Sequence, residues 1–131
     1  HRVDMRFERV DLAIAMGAMY MANHMNTQGI IALTQSGSAP LWMSRISSGL
    51  PIFAFSNNEA TLGKVTLYRG VIPVFLALGA DQSSINHAAL EKLQSLKYAH
   101  YGDTYIVTQG DLSGKTGGTN ALKVITLEED E

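Results

Sequence analysis

Lys115 stands between Ser113, Gly114, Thr116, Gly117 and Gly118 in the segment GDLSGKTGGTN (110–120), where Gly110 and Thr119 add a fourth glycine and another hydroxyl. One positive charge, several hydroxyl donors and a backbone free to take positive φ can together cradle an anion, because glycine lets successive N–H groups come close to a ligand. The segment is not a Walker-type nucleotide loop. Thr116 follows Lys115 as that motif asks, but Gly110 is one residue too close to Gly114. Gly117, Gly118 and a β-prone stretch then follow where a helix should begin. Taken alone, such a turn also reads as a long hairpin loop.

A second hydroxyl-rich loop is Thr34, Gln35, Ser36, Gly37 and Ser38, with Ala39 and Pro40 after it. Other combinations carry less chemistry. His24, His87 and His100 are far apart, which argues against a metal site. Ser36 and Ser38 in QSGS do not form the G-x-S-x-G elbow of a serine hydrolase. Met16, Met19, Met21 and Met25 suit adaptable core or interface packing, and Trp42 and Tyr68 are read as core or subunit-contact residues. Arg69 precedes Gly70 at a strand entrance and is expected in a structural ion pair.

The elements that must hold these loops follow from apolar patterning. Residues 7–25 read as a helix with Val10, Ile14, Gly17, Met21 and Met25 as its stripe. Residues 29–33 form a short apolar strand, and Pro40 opens a helix that runs to about residue 48 and stops at Gly49. Residues 52–55 are a strand, Asn57 or Asn58 caps a helix through about Thr66, and residues 71–76 form a strand whose Pro73 places it at an edge. Ser83 or Ser84 starts the fourth helix, with Ile85, Ala88, Ala89, Leu93 and Leu96 as its stripe. Strands at 104–108 and 121–127 close the chain, joined with no helix between them, and should therefore run antiparallel.

Helices alternating with continuous apolar strands indicate a three-layer α/β/α fold whose mostly parallel sheet is covered on both faces. Right-handed crossovers allow the five-strand order 3-2-1-4-5, with the last strand antiparallel. The order reverses between the first and fourth strands, and ligands of open α/β sheets bind outside the strand ends at such a switch point. The 34–38 loop and the glycine-rich segment both leave the sheet there, so an anion bound between them is the expected chemistry.

Composition limits the alternatives. At 131 residues the chain is the size of one domain, and with no cysteine it holds neither disulfides nor a thiolate metal site. Its net charge of −2 includes the acidic tail Glu128, Glu129, Asp130 and Glu131, leaving ten basic against eight acidic residues elsewhere. No basic stripe marks a nucleic-acid binder. Residues 12–44 lack Asp, Glu, Lys and Arg, but polar residues leave no run of about 18 apolar residues for a membrane span. No signal peptide is read at the start, and a reducing cytoplasm suits the composition.

The segments AIAMGAMYMANHM, IIALTQSG, MSRISSGLPIFA, LYRGVIPV, GDTYIVTQGDL and GGTN, in this order and across nearly the whole chain, resemble the C-terminal domain of pyruvate kinase. The resemblance implies an α/β domain attached to a catalytic barrel, carrying an effector site and a subunit contact of a homotetramer. It also implies a cytoplasmic glycolytic enzyme as parent. Catalytic residues, Mg2+ and K+ would belong to the barrel of the same polypeptide, so this chain alone is expected to have no cofactor and no activity. A barrel needs roughly 250 residues, more than are present. The family's phosphate loop, T-x-S-G followed by a small or basic residue and a hydroxyl residue, is matched by Thr34, Ser36 and Gly37. Ala39 departs from it by replacing the hydroxyl residue, which leaves Ser38 as expected cap and ligand. Residues 114–118 correspond to the family's effector loop, and Lys115 is its one cation. A single lysine fits a sugar monophosphate or AMP better than fructose 1,6-bisphosphate. The alternative is a subunit-contact module that binds no ligand.

Overall fold

The structure, a computed structural model, describes residues 2–46, 49–77, 82–110 and 119–129. Its elements in order are α1 (Arg2–His24), β1 (Gly29–Leu33), α2 (Ser38–Arg45), β2 (Ile52–Ser56), α3 (Glu59–Val65), β3 (Val71–Phe75), α4 (Gln82–Ser95), β4 (Thr104–Gly110) and β5 (Thr119–Thr126). The strands form one sheet in the order β3-β2-β1-β4-β5. All pairings are parallel except β4 with β5. The expected α/β fold and strand order are thus observed.

Every residue of β1 and β2 is buried, which is why these strands are continuous apolar runs rather than alternating ones. One core layer joins Ile30, Ala32, Ala54 and Ile106 of the sheet to Ala15, Ala18, Met19 and Ala22 of α1, Ala39 and Met43 of α2, and Val65 of α3. The other joins Ile31, Leu33, Phe53, Phe55, Tyr105 and Val107 to Ile85, Ala89, Leu90 and Leu93 of α4. Pro73 lies on β3 beside Ala54, at the sheet edge where a missing N–H costs nothing.

Several details depart from the patterning. From Val10 onward the buried face of α1 is Asp11, Ala15, Ala18, Met19 and Ala22; of the expected stripe, Ile14, Gly17 and Met21 are partly buried at its margin, while Val10 is 42% and Met25 40% exposed. Small side chains let the helix lie close to the sheet, where an added Cβ on Gly17 would already be 3.7 Å from Leu122. Apolar spacing could not choose between two adjacent faces of a helix rich in Ala and Met. On α4, Leu90 is buried and Leu96 is 44% exposed, because the chain leaves the helix at Ser95. α2 begins at Ser38 and ends at Arg45, so Pro40 sits in its first turn instead of opening it. Asn58, not Asn57, caps α3 by accepting the Thr61 N–H at 3.2 Å.

Candidate functional site

β1 and β4 are parallel neighbours, with Ala32 beside Thr108, so both release their chains at the same end of the sheet. From β1 the chain turns through the 34–38 loop into α2 and on to β2, while β4 leads to β5 on the other side. The crevice between these diverging connections is the switch point of the fold. Buried hydroxyls collect at this end: Thr34, Ser56, Thr61, Thr108 and Thr119.

The 34–38 loop is built by its own side chains. Thr34 is 6% exposed and its Oγ1 accepts the Gly37 N–H at 2.8 Å. Ser36 Oγ accepts the Ser38 N–H at 3.2 Å. Gly37, at φ 83° and ψ 8°, is the N-cap of α2 and lies in the left-handed region that glycine enters without strain. This corrects the expectation for Ser38, which is the first helical residue and caps nothing. Both threonine and serine oxygens accept from the backbone, so each hydroxyl proton remains available to an oxyanion. Pro40 has no N–H, which leaves Ala39 with the first-turn amide lacking a partner among the described residues. Ala39 itself is 1% exposed and its methyl packs in the core, a position from which a side chain of any kind points away from solvent.

α3 braces the loop from the other side. Thr61 Oγ1 donates to the Gln35 carbonyl at 2.5 Å, and a Cβ on Gly37 would lie 3.1 Å from Val65 Cγ1 and 3.4 Å from Lys64 Cε. Lys64 is exposed and forms no ion pair among the described residues. The loop thus acquires a cation that sequence reading missed, because Lys64 is 27 positions from Gly37 and only the packing of α3 joins them. Thr108 was missed as well. It has no exposed surface and its hydroxyl has no hydrogen-bond partner among the described residues; a lone hydroxyl in the run YIVT was its available signal. The Gln109 side-chain oxygen is likewise buried without a partner.

Of the glycine-rich segment, Ser113, Gly114, Lys115, Thr116, Gly117 and Gly118 lie outside the described residues. Their flanks are placed: Gly110 pairs with Thr119, with a register irregularity at Gln109 and Gly110, at the same end of the sheet as Thr34.

Arg69 is at the opposite end. The ion pair expected for it is not found among the described residues; it lines a cavity of about 260 Å3 with Met43, Leu50, Ile52 and Gly70. Arg45 stacks over Trp42, 5.0 Å from the ring centre. Tyr105 is pushed up to about 12 by burial, with the Asp103 charge adding to it, and its hydroxyl donates to the Tyr98 carbonyl. No described helix is long and apolar enough to cross a membrane, and no described cluster of His, Asp and Glu is placed to hold a metal.

Comparison with known families matches residues 12–125 to the model described as "Pyruvate kinase, alpha/beta domain". The chain is 48% identical over 129 residues to pyruvate kinase II of Salmonella typhimurium, covering 98% of this chain and 27% of that protein. Identity is 43% over 128 residues to pyruvate kinase of Buchnera aphidicola from Schizaphis graminum, covering 97% of this chain and 27% of that protein. It is again 43%, over 129 residues, to pyruvate kinase of Haemophilus influenzae, with coverage of 98% and 27%. The chain therefore spans about a quarter of the length of the curated relatives it matches.

Proposed function

This chain belongs to the pyruvate kinase family as its C-terminal α/β domain, and we propose that it is a regulatory module that binds a phosphorylated effector within a larger glycolytic enzyme. The observation that carries the reading is the 34–38 loop. Its threonine and serine hydroxyls, whose protons are left over for a ligand, a left-handed glycine and a helix start meet at the switch point of the sheet. Contact of Lys115 with the bound phosphate would then bias the parent assembly toward one state.

In this reading the ligand is a sugar monophosphate or AMP. Phosphoryl transfer from phosphoenolpyruvate to ADP, with Mg2+ and K+, belongs to a barrel elsewhere in the same cytoplasmic polypeptide. Calorimetric titration of the whole protein with ribose 5-phosphate, glucose 6-phosphate, AMP and fructose 1,6-bisphosphate tests it. Saturable binding of a monophosphate is expected, and heat from none of the four would end the effector reading.

A subunit-contact role has its own support. Val10, Met16, Tyr20 and Met25 give α1 an exposed apolar face, more than a helix alone in water would carry. The domain then also contributes to a homotetramer. If contact were its whole role, Lys115→Ala would leave every effector response of the enzyme unchanged while mass measurement still gave the oligomer.

A further inference from the structure

Phosphate needs charge as well as donors. The 34–38 loop contains no lysine or arginine, and its hydroxyls and amides supply direction but little neutralisation for a dianion. Among the described residues, a cation close to that loop is not evident from sequence. α3 brings it: Thr61 is hydrogen-bonded to Gln35, Val65 is buried against Gly37, and Lys64 lies between these two anchors on the same short helix. Its stem runs over Gly37, with Cε 3.4 Å from where a Cβ would stand, so the ammonium one bond further on is within reach of the start of α2.

Lys64 has no competing partner among the described residues. Glu59 is on the same helix, yet no ion pair ties Lys64 to it or to another described carboxylate. The lysine head is exposed and its charge unanswered by a described carboxylate, while its stem covers a glycine with little room for a larger side chain.

An observation independent of the helix end also points to a ligand. Thr108 is fully buried beside Ala32, on the same face of the sheet as Thr34, the face covered by α1 and α2. Its hydroxyl is without a partner among the described residues. Native folds seldom leave a buried hydroxyl unpaired, since doing so costs about 1–3 kcal/mol, and the exceptions gather where something else is bound.

We propose that Lys64 is the counter-charge of the effector site, reaching from α3 to the phosphoryl group held by Thr34, Ser36 and the α2 N-terminus, and that it makes the site prefer a dianionic phosphate. This rests on the effector reading above. It assigns specificity to a residue outside both loops. A charge-assisted contact of this kind contributes about tenfold in affinity, and a dianion is favoured only above the second phosphate ionisation near about pH 6.

The test is titration of the full-length protein with ribose 5-phosphate, with ribose as the phosphate-free control, at pH 5.5 and pH 7.5. The unsubstituted protein binds ribose 5-phosphate, more tightly at pH 7.5, and does not bind ribose. Lys64→Gln weakens binding about tenfold at pH 7.5 and flattens the pH dependence. Lys64→Arg retains most of both, and Lys97→Gln, at the far end of the sheet, changes neither. If Lys64→Gln binds within twofold of the unsubstituted protein, Lys64 is not the counter-charge and the effector reading survives without it. If the unsubstituted protein binds no ribose 5-phosphate, the inference is overturned together with the monophosphate reading. Because Lys64 is exposed, the substitutions leave folding intact, and an unchanged Tm verifies this.

Discussion

Thr61 and Gln35 are 26 residues apart in sequence, yet the threonine hydroxyl donates to the glutamine carbonyl at 2.5 Å. The bond fastens the loop after β1 to the first turn of α3. It thereby fixes how Gly37, Val65 and Lys64 sit against one another, and the geometry of the candidate site depends on it.

Thr61→Val keeps the branched shape and removes the donor. A carbonyl left partly buried without its partner costs about 1–3 kcal/mol, so the denaturation midpoint should fall by the corresponding amount. Affinity for ribose 5-phosphate should fall as well, because the loop loses its brace. Unchanged affinity alongside reduced stability would show that the bond serves folding alone.

Gly37→Ala meets two obstacles. Its φ of 83° is unfavourable for an L side chain, and the new methyl would stand 3.1 Å from Val65. The left-handed conformation alone costs roughly 1–2 kcal/mol. Chemical denaturation should show a loss of at least this size, and calorimetry a loss of effector binding as the loop rearranges.

Thr108→Val replaces an unpartnered buried hydroxyl by a methyl of similar volume. The ligand-free protein should gain about 1 kcal/mol of stability. Effector binding should weaken in the same variant, giving opposite signs for stability and affinity. A loss of stability in the ligand-free state would mean that the hydroxyl is satisfied by ordered water.

Tyr105 gives the domain an alkaline limit. Burial first, and the Asp103 charge second, raise its hydroxyl from 10.0 to about 12 in the folded state. The unfolded chain loses this proton near its ordinary value while the fold retains it, so the unfolded state binds fewer protons between the two. This contribution is complete below about pH 10 and is lost as the pH rises toward about 12, on the order of 2 kcal/mol. Urea midpoints measured from pH 9 to 11.5 should decline more steeply for the natural protein than for Tyr105→Phe.

The strands were legible because β1, β2 and the centre of β4 are buried on both faces and must be apolar throughout. Their number, order and the antiparallel last pair followed from connection lengths and crossover handedness. Helix faces were less legible. In α1, alanine and methionine surround the axis, so the chain advertises two apolar stripes, and the one that packs was selected by the space above β1, β4 and β5. The start of α2 was misplaced for a local reason: Pro40 is tolerated anywhere in a first turn, and only the left-handed Gly37 marks the boundary.

The sequence by itself determined the fold class, the family and the loop containing Thr34, Ser36 and Gly37, because each depends on residues near one another in the chain. Tertiary structure decided what surrounds that loop. Lys64 and Thr108 come from α3 and β4, and no spacing rule links them to Gly37 and Ala32. Capping and apolar patterning act over a few residues and can be read along the chain; electrostatics, burial and long-range hydrogen bonds act through space, and a cation 27 positions away becomes a neighbour only when β1, α2, β2 and α3 have packed.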